Sequence, residues 1–226
     1  APIGFERMWQ QWRQLDTDQR DAAGRAMIKI DRQFHRRLSQ RLMARDREDQ
    51  LKAVAMISHF GQSGYFEKAL MQMALGSDLH LASAAVQALG QVDSEPARQA
   101  VQQALGHEDS RVRANAVAAL NLPIDQTVVA RLMSMWDDPS GRPRANAIGV
   151  LMSERMDAAL GALTGMLADP RSEHRRSALW LAREAKLLEV SRRVAEMSVS
   201  DPDQAVRRAA RQTIDQLMQS MRSEAA

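Results

Sequence analysis

The sequence predicts an all-α protein, an α-α superhelix of stacked helical hairpins, and three observations carry that expectation. Of 226 residues, 45% are hydrophobic but only 4% aromatic, with seven Pro and eleven Gly. Ala, Leu, Arg, Gln and Met favour helices, whereas a sandwich or barrel draws on aromatic and β-branched residues. The second observation is a repeat: Arg113-Ala114-Asn115-Ala116 returns as Arg144-Ala145-Asn146-Ala147, an offset of about 31 residues. The same phase continues at Arg175-Arg176-Ser177-Ala178 and Arg207-Arg208-Ala209-Ala210, and backward at Ala82-Ser83-Ala84-Ala85. The third is an acidic turn before each block, at Asp78, Asp109, Asp138, Asp169 and Asp201, three of them followed by Pro. Asp accepts hydrogen bonds from the free amides of a helix start, and Pro has no amide hydrogen to leave unpaired there.

From the N-terminus, residues 1–45 lie outside the repeat and are expected to form a helical cap. Phe5, Met8, Trp9, Trp12 and Leu15 cluster on a short amphipathic helix suited to covering the apolar end of a stack. Contact with an upstream domain, or a dimer through Trp9 and Trp12, are the alternatives. A long helix is expected after Thr17, with Met27, Ile30, Phe34, Leu38 and Leu42 in one narrow arc. Opposite that arc Arg25, Lys29, Arg32 and Arg36 form a basic face with His35 beside it. The stretch from Arg25 to Arg47 carries eight basic and two acidic residues, the densest positive field in the chain.

Residues 46–226 are expected to form the repeat solenoid, with about five to six hairpins. Asp46 to Phe60 reads as a degenerate first unit that keeps Val54 and Ile57 but lacks the Arg. Each later unit adds a first helix, over 64–75, 95–105, 124–136, 156–167 and 187–199, followed by the block that begins with the acidic turn. One hairpin cannot bury its own apolar stripe, so the units must stack. The Arg ladder, Arg113, Arg144, Arg175 and Arg207, has the period of the Asp ladder and is expected to pair with it across neighbouring turns.

Asp109-Ser110-Arg111-Val112-Arg113-Ala114-Asn115-Ala116 and Asp201-Pro202-Asp203-Gln204-Ala205-Val206-Arg207-Arg208-Ala209-Ala210 resemble the HEAT-like repeats first described in phycobilisome lyases. The resemblance spans residues 46 to 220. It implies the superhelical architecture and, most often in that family, protein recognition, with the second helix of each hairpin lining the concave face.

Counted from the ladder Arg, positions three, four, six and seven are core, here Ala116, Val117, Ala119 and Leu120. Positions two, five and nine then face the groove, and Gln87, Asn115, Asn146, Ser177, Trp180 and Gln212 are the candidate contacts with a partner. This strip reads as polar, small and almost uncharged. Trp180 stands where other repeats place Gln, Ala or Gly, either as a binding anchor or as core in a locally rotated repeat. Trp136, beside Leu132 and Met135, reads as core.

The formal charge is +3 and there is no Cys, which removes disulfides, thiolate metal sites and thiol nucleophiles. No metalloprotease, hydrolase-elbow or phosphate-loop motif occurs, no metal or cofactor is expected, and no run is long and apolar enough to span a membrane. Deoxyhypusine hydroxylase resembles this architecture but uses repeated His-Glu pairs, and only His107-Glu108 matches. The chain opens at Ala1-Pro2, which fits Met removal, a processed precursor or an excised piece alike. The expected function is a non-catalytic, cytoplasmic scaffold or adaptor that binds a protein segment in its groove. The alternatives are a nucleic-acid-associated protein using the basic N-terminal helix, and, third, a bilin-lyase-like enzyme.

Overall fold

A computed structural model of the chain describes residues 2–121 and 123–224. Among the described residues there are fourteen α-helices, two short 3-10 turns and no strand. The chain divides into two compact units, residues 1–106 with 119–121, and residues 107–118 with 122–226.

The first unit begins with α1 (Pro2–Gln11), α2 (Thr17–Ile30), α3 (Phe34–Leu42) and α4 (Arg47–His59). Asp16 starts α2 with a reciprocal cap, accepting from the Gln19 amide while the Gln19 side chain accepts from the Asp16 amide. Gly24 is where α2 passes closest to the end of α4, since a Cβ there would lie 2.1 Å from the Phe60 ring. Phe5, Met8, Trp9 and Trp12 are all buried, and Leu15 is half-buried. Burial of both Trp9 and Trp12 removes them from any dimer surface.

The long helix expected after Thr17 is instead two helices, broken at Asp31-Arg32-Gln33. Asp31 causes the break: its buried carboxylate accepts from the Gln33 amide at 3.0 Å and pairs with Arg37 at 3.2 Å, bonds unavailable to a continuous helix. Ile30 is consequently 66% exposed, outside the arc assigned to it, while Met27, Phe34, Leu38 and Leu42 are buried. Helix α3 packs on α4 as a hairpin, so helix pairing reaches into residues 1–45. The unit is completed by α5 (Glu67–Ala74), α6 (Leu79–Leu89) and α7 (Glu95–Ala104), with α4 against α6 and α5 against both α6 and α7.

The second unit holds α8 (Ser110–Ala118), α9 (Gln126–Ser134), α10 (Gly141–Leu151), α11 (Met156–Leu167), α12 (Ser172–Glu184), α13 (Ser191–Ser200) and α14 (Gln204–Glu224). The second helices of successive hairpins pack side by side, α8 on α10, α10 on α12 and α12 on α14. Ala145, Ile148, Leu163, Met166, Leu179 and Val194 are at the centre of a continuous buried cluster, and Trp136 packs at its edge, half-buried.

The five turn aspartates act alike: Asp78, Asp109, Asp138, Asp169 and Asp201 each accept from the amide two residues on, at 2.8 to 3.0 Å. Three of the four ladder Arg fix one turn to the next, and Arg207 does not make the pairing expected of it. Arg113 grips Asp138 with Nε and Nη2, both at 2.8 Å, while its Nη1 donates to the His107 and Glu108 carbonyls. Arg175 repeats this on Asp201, again at 2.8 Å twice, with Nη1 on the Asp169 and Pro170 carbonyls. Arg144 reaches Asp169 through one bond of 3.2 Å. Arg207 bonds the Asp201 and Pro202 carbonyls only.

Two of the turn carboxylates give the second unit an expected acid sensitivity. Hydrogen bonding from Arg171 holds the Asp169 carboxyl far below the ordinary carboxylate range, against the opposing effect of burial. Burial would raise the Asp201 carboxyl, yet the Arg175 guanidinium and the Asp203 amide outweigh it and lower it. A carboxyl depressed in the folded state stabilises above its unfolded value and loses that contribution as pH falls through its folded one. The urea midpoint is therefore expected to hold steady from pH 7 to 5 and to fall below about pH 4, with a shallower fall in Asp201→Asn. An acid limb unchanged by that substitution would contradict the assignment.

Candidate functional site

The second helices α8, α10 and α12 bring the candidate groove together within the second unit. Helix α12 buries His174, Arg175, Ala178, Leu179, Leu181 and Ala182, a stripe that leaves Trp180 on the opposite side. The indole is 42% exposed, so Trp180 is a surface residue of α12 and its repeat keeps the common register. It stands on the rim shared by two clefts. The larger, about 700 Å³, is lined by Ser110, Ser140, Arg142, Arg176, Ser177 and Trp180, together with Glu173. The smaller, about 350 Å³, is apolar for most of its wall, with Val117, Val150, Leu181 and Ala185 beside Trp180, and Glu184 at one side.

Of the six groove candidates, Asn146, Ser177 and Trp180 line these clefts. Asn115 stands at their edge, its Oδ1 accepting from Arg142 Nη2 at 3.2 Å. Asn146 is not a free groove contact. It is 9% exposed, and its Nδ2 donates to the Ala114 carbonyl at 2.9 Å, a bond between neighbouring second helices, while its Oδ1 is buried without a donor. In this repeat position two is therefore drawn between packed helices, whereas its counterparts Asn115 and Ser177 are half-buried at the groove. Gln87 on α6, in the first unit, and Gln212 on α14 are both exposed and line neither cleft.

The expected uncharged strip also needs correction, because Arg142 and Arg176 flank Trp180 on one side and Glu173 and Glu184 are close by. Arg142 escapes a reading of single helices because it comes from the first turn of α10, whereas Arg176 and Trp180 come from α12. The available signal is charge at the exposed first-turn positions of consecutive repeats.

The basic face of Arg25, Lys29, Arg32 and Arg36 does not lie on one helix. Arg25 and Lys29 belong to α2, Arg32 to the break and Arg36 to α3, for the reason given by Asp31. All four are exposed, and none has a carboxylate partner among the described residues. His35 beside them stacks on Tyr65 with ring centroids 4.1 Å apart and bonds Gln62 at 2.7 Å. Among the described residues no cluster of His, Asp or Glu is arranged to hold a metal ion, and His107 Nδ1 is taken up by the Asp109 amide at 3.0 Å.

Residues 36–121, 66–151 and 99–183 each match the family described as HEAT repeats, and together these matches cover well over half of the chain. The chain belongs to the HEAT-repeat family. The matched region begins inside α3, in agreement with the α3–α4 hairpin. HEAT repeats are helical hairpins that most often serve as protein-binding scaffolds. No curated protein matches the sequence. Among solved structures, a designed armadillo repeat protein is similar over 80% of this chain and 98% of its own, at 17% identity and a TM-score of 0.40. Another, a designed armadillo repeat protein in complex with the peptide (KR)4, is similar over 80% and 98% at 15% identity and a TM-score of 0.41. No helix among the described residues is long and apolar enough to cross a membrane.

Proposed function

We propose that this HEAT-repeat chain is a non-catalytic recognition module that holds a segment of a partner protein against Trp180. The observation that carries the reading is the indole itself, 42% exposed at the rim shared by two clefts. A large rigid ring beside concave surface gives a partner much area to bury at little entropic cost. With only two Arg in its surroundings, this groove lacks the row of successive cations that a nucleic-acid backbone requires.

Capture of one defined protein on the immobilised wild-type chain, followed by titration of that protein in purified form, tests the reading. Trp180→Ala is expected to weaken the purified pair by about tenfold or more. An unchanged affinity would remove Trp180 from the site. A second reading, contact with nucleic acid, rests on Arg25, Lys29, Arg32 and Arg36, which are exposed and free of carboxylates. It requires affinity that falls steeply with salt and retained material that nuclease releases.

A further inference from the structure

The geometry points to an acidic, leucine-containing segment as the occupant of the Trp180 clefts: carboxylates on Arg142 and Arg176, an aliphatic side chain against the indole and Leu181. The inference rests on the protein-recognition reading and names the chemistry of the partner. Its first support is an unmatched charge. Arg176 is exposed, lines the larger cleft and has no carboxylate within ion-pair distance among the described residues. Glu173, one turn before it on α12, would be the natural partner. Its Oε1 instead lies 3.6 Å from His174 Nε2 while the side chain stays exposed at the cleft, and no ion pair joins it to Arg176.

Arg142 is likewise unpaired with any acid and is held by the neutral Asn115 side chain. This contrasts with Arg113, Arg144 and Arg175, which are the structural guanidiniums and are each taken by an Asp. Two of the molecule's guanidiniums are therefore left facing one cleft without a counter-charge, Arg176 with its fork of donors open and Arg142 with Nη2 on Asn115 and its other donors open. The starts of α8, α10 and α12 border the same cleft. Asp109 accepts from first-turn amides of α8, whereas Asp138 and Asp169 bond the turn amides of Ser140 and Arg171 just before α10 and α12, which begin without a side-chain cap.

The second support is the adjoining apolar wall. The smaller cleft, with Val117, Val150 and Leu181 next to Trp180, has room for an aliphatic side chain but offers no cation of its own. A segment that places acidic and aliphatic residues within a few positions of each other satisfies both clefts at once. A polynucleotide finds partners only in the first, where two guanidiniums are fewer than the run of cations its backbone needs.

The test uses the full chain and fluorescence anisotropy with four labelled probes: the peptide Gly-Ser-Glu-Leu-Glu-Glu-Leu-Glu-Ser-Gly, its Glu→Gln and Glu→Lys analogues, and a ten-nucleotide oligothymidylate. The acidic peptide is expected to saturate below about 1 mM. Its affinity should drop by about tenfold or more in Trp180→Ala and in Arg142→Glu/Arg176→Glu, and stay unchanged in Arg25→Glu/Lys29→Glu. Arg176→Glu alone, at an exposed position, reads the charge contribution whatever Trp180→Ala does to folding. Failure of the acidic peptide to bind by about 1 mM overturns the inference. Equal or tighter binding of the neutral or basic analogue, still dependent on Trp180, overturns the acidic assignment and leaves the recognition reading standing. Binding of the oligonucleotide alone, lost with Arg142→Glu/Arg176→Glu, overturns both.

Discussion

Arg175→Ala is expected to destabilise the second unit by about 3 to 5 kcal/mol, as the removal of one partner from a buried ion pair does. Arg175 is 7% exposed and so is Asp201, to which it donates twice. Truncation leaves that carboxylate buried without its counter-charge, and it also strips a donor from the Asp169 and Pro170 carbonyls. Lys cannot replace the fork, because a single ammonium does not reach two carboxylate oxygens and two carbonyls in one plane. The adjacent Arg176→Ala is the internal control: it is exposed and unpaired, and is expected to change stability by no more than about 0.5 kcal/mol. Urea unfolding followed by far-ultraviolet circular dichroism measures both. If the two variants shift the midpoint equally, the ladder contributes nothing beyond ordinary surface charge.

Trp9→Ala carries the corresponding effect in the first unit, about 3 to 5 kcal/mol for loss of a buried indole. The ring is 4% exposed and stacks on Phe5 with centroids 6.1 Å apart. Arg41 and Lys52 lie over it at 4.8 and 4.7 Å, and Lys52 Nζ donates to the Trp9 carbonyl at 3.2 Å. Arg41 also bonds Glu6 and Asp49, so this one side chain joins α1, α3 and α4 through the indole's edge of the core. Removing the ring leaves a cavity under Arg41, whose carboxylate partners Glu6 and Asp49 remain, and under Lys52, whose bond is to the Trp9 carbonyl. Hydrogen exchange is the decisive readout: amides of α1, α3 and α4 should lose protection, while those of α10 and α12 keep theirs. Unchanged protection across α1, α3 and α4 would show that the N-terminal helix is not part of the unit's core.

The repeat architecture was legible because it depends on local rules applied in phase. The turn Asp accepts from the amide two residues on in five successive turns, and three of the four ladder Arg make the pairing their spacing predicts, Arg207 being the exception. The register of α12 was legible in part. Its apolar stripe was plain, but a Trp among alanines fits either face of a helix, and the packing of α10 against α12 decides that it is exposed.

Asn146, placed in the groove by its repeat position, is drawn between helices by the Ala114 carbonyl, a partner 32 residues away that no periodicity reveals. The arc from Met27 to Leu42 has ideal helical spacing, yet Asp31 ends one helix and opens the next because Arg37 and the Gln33 amide reward the break. The meeting of Arg142, Arg176 and Trp180 depends on side-by-side contact of successive second helices. By itself the sequence determined the phase of the repeat, the turn aspartates and three rungs of the ladder, since these recur at a fixed spacing from unit to unit. Tertiary structure alone decided which polar side chains stay in water, because that depends on the carbonyls and carboxylates that distant helices bring within reach.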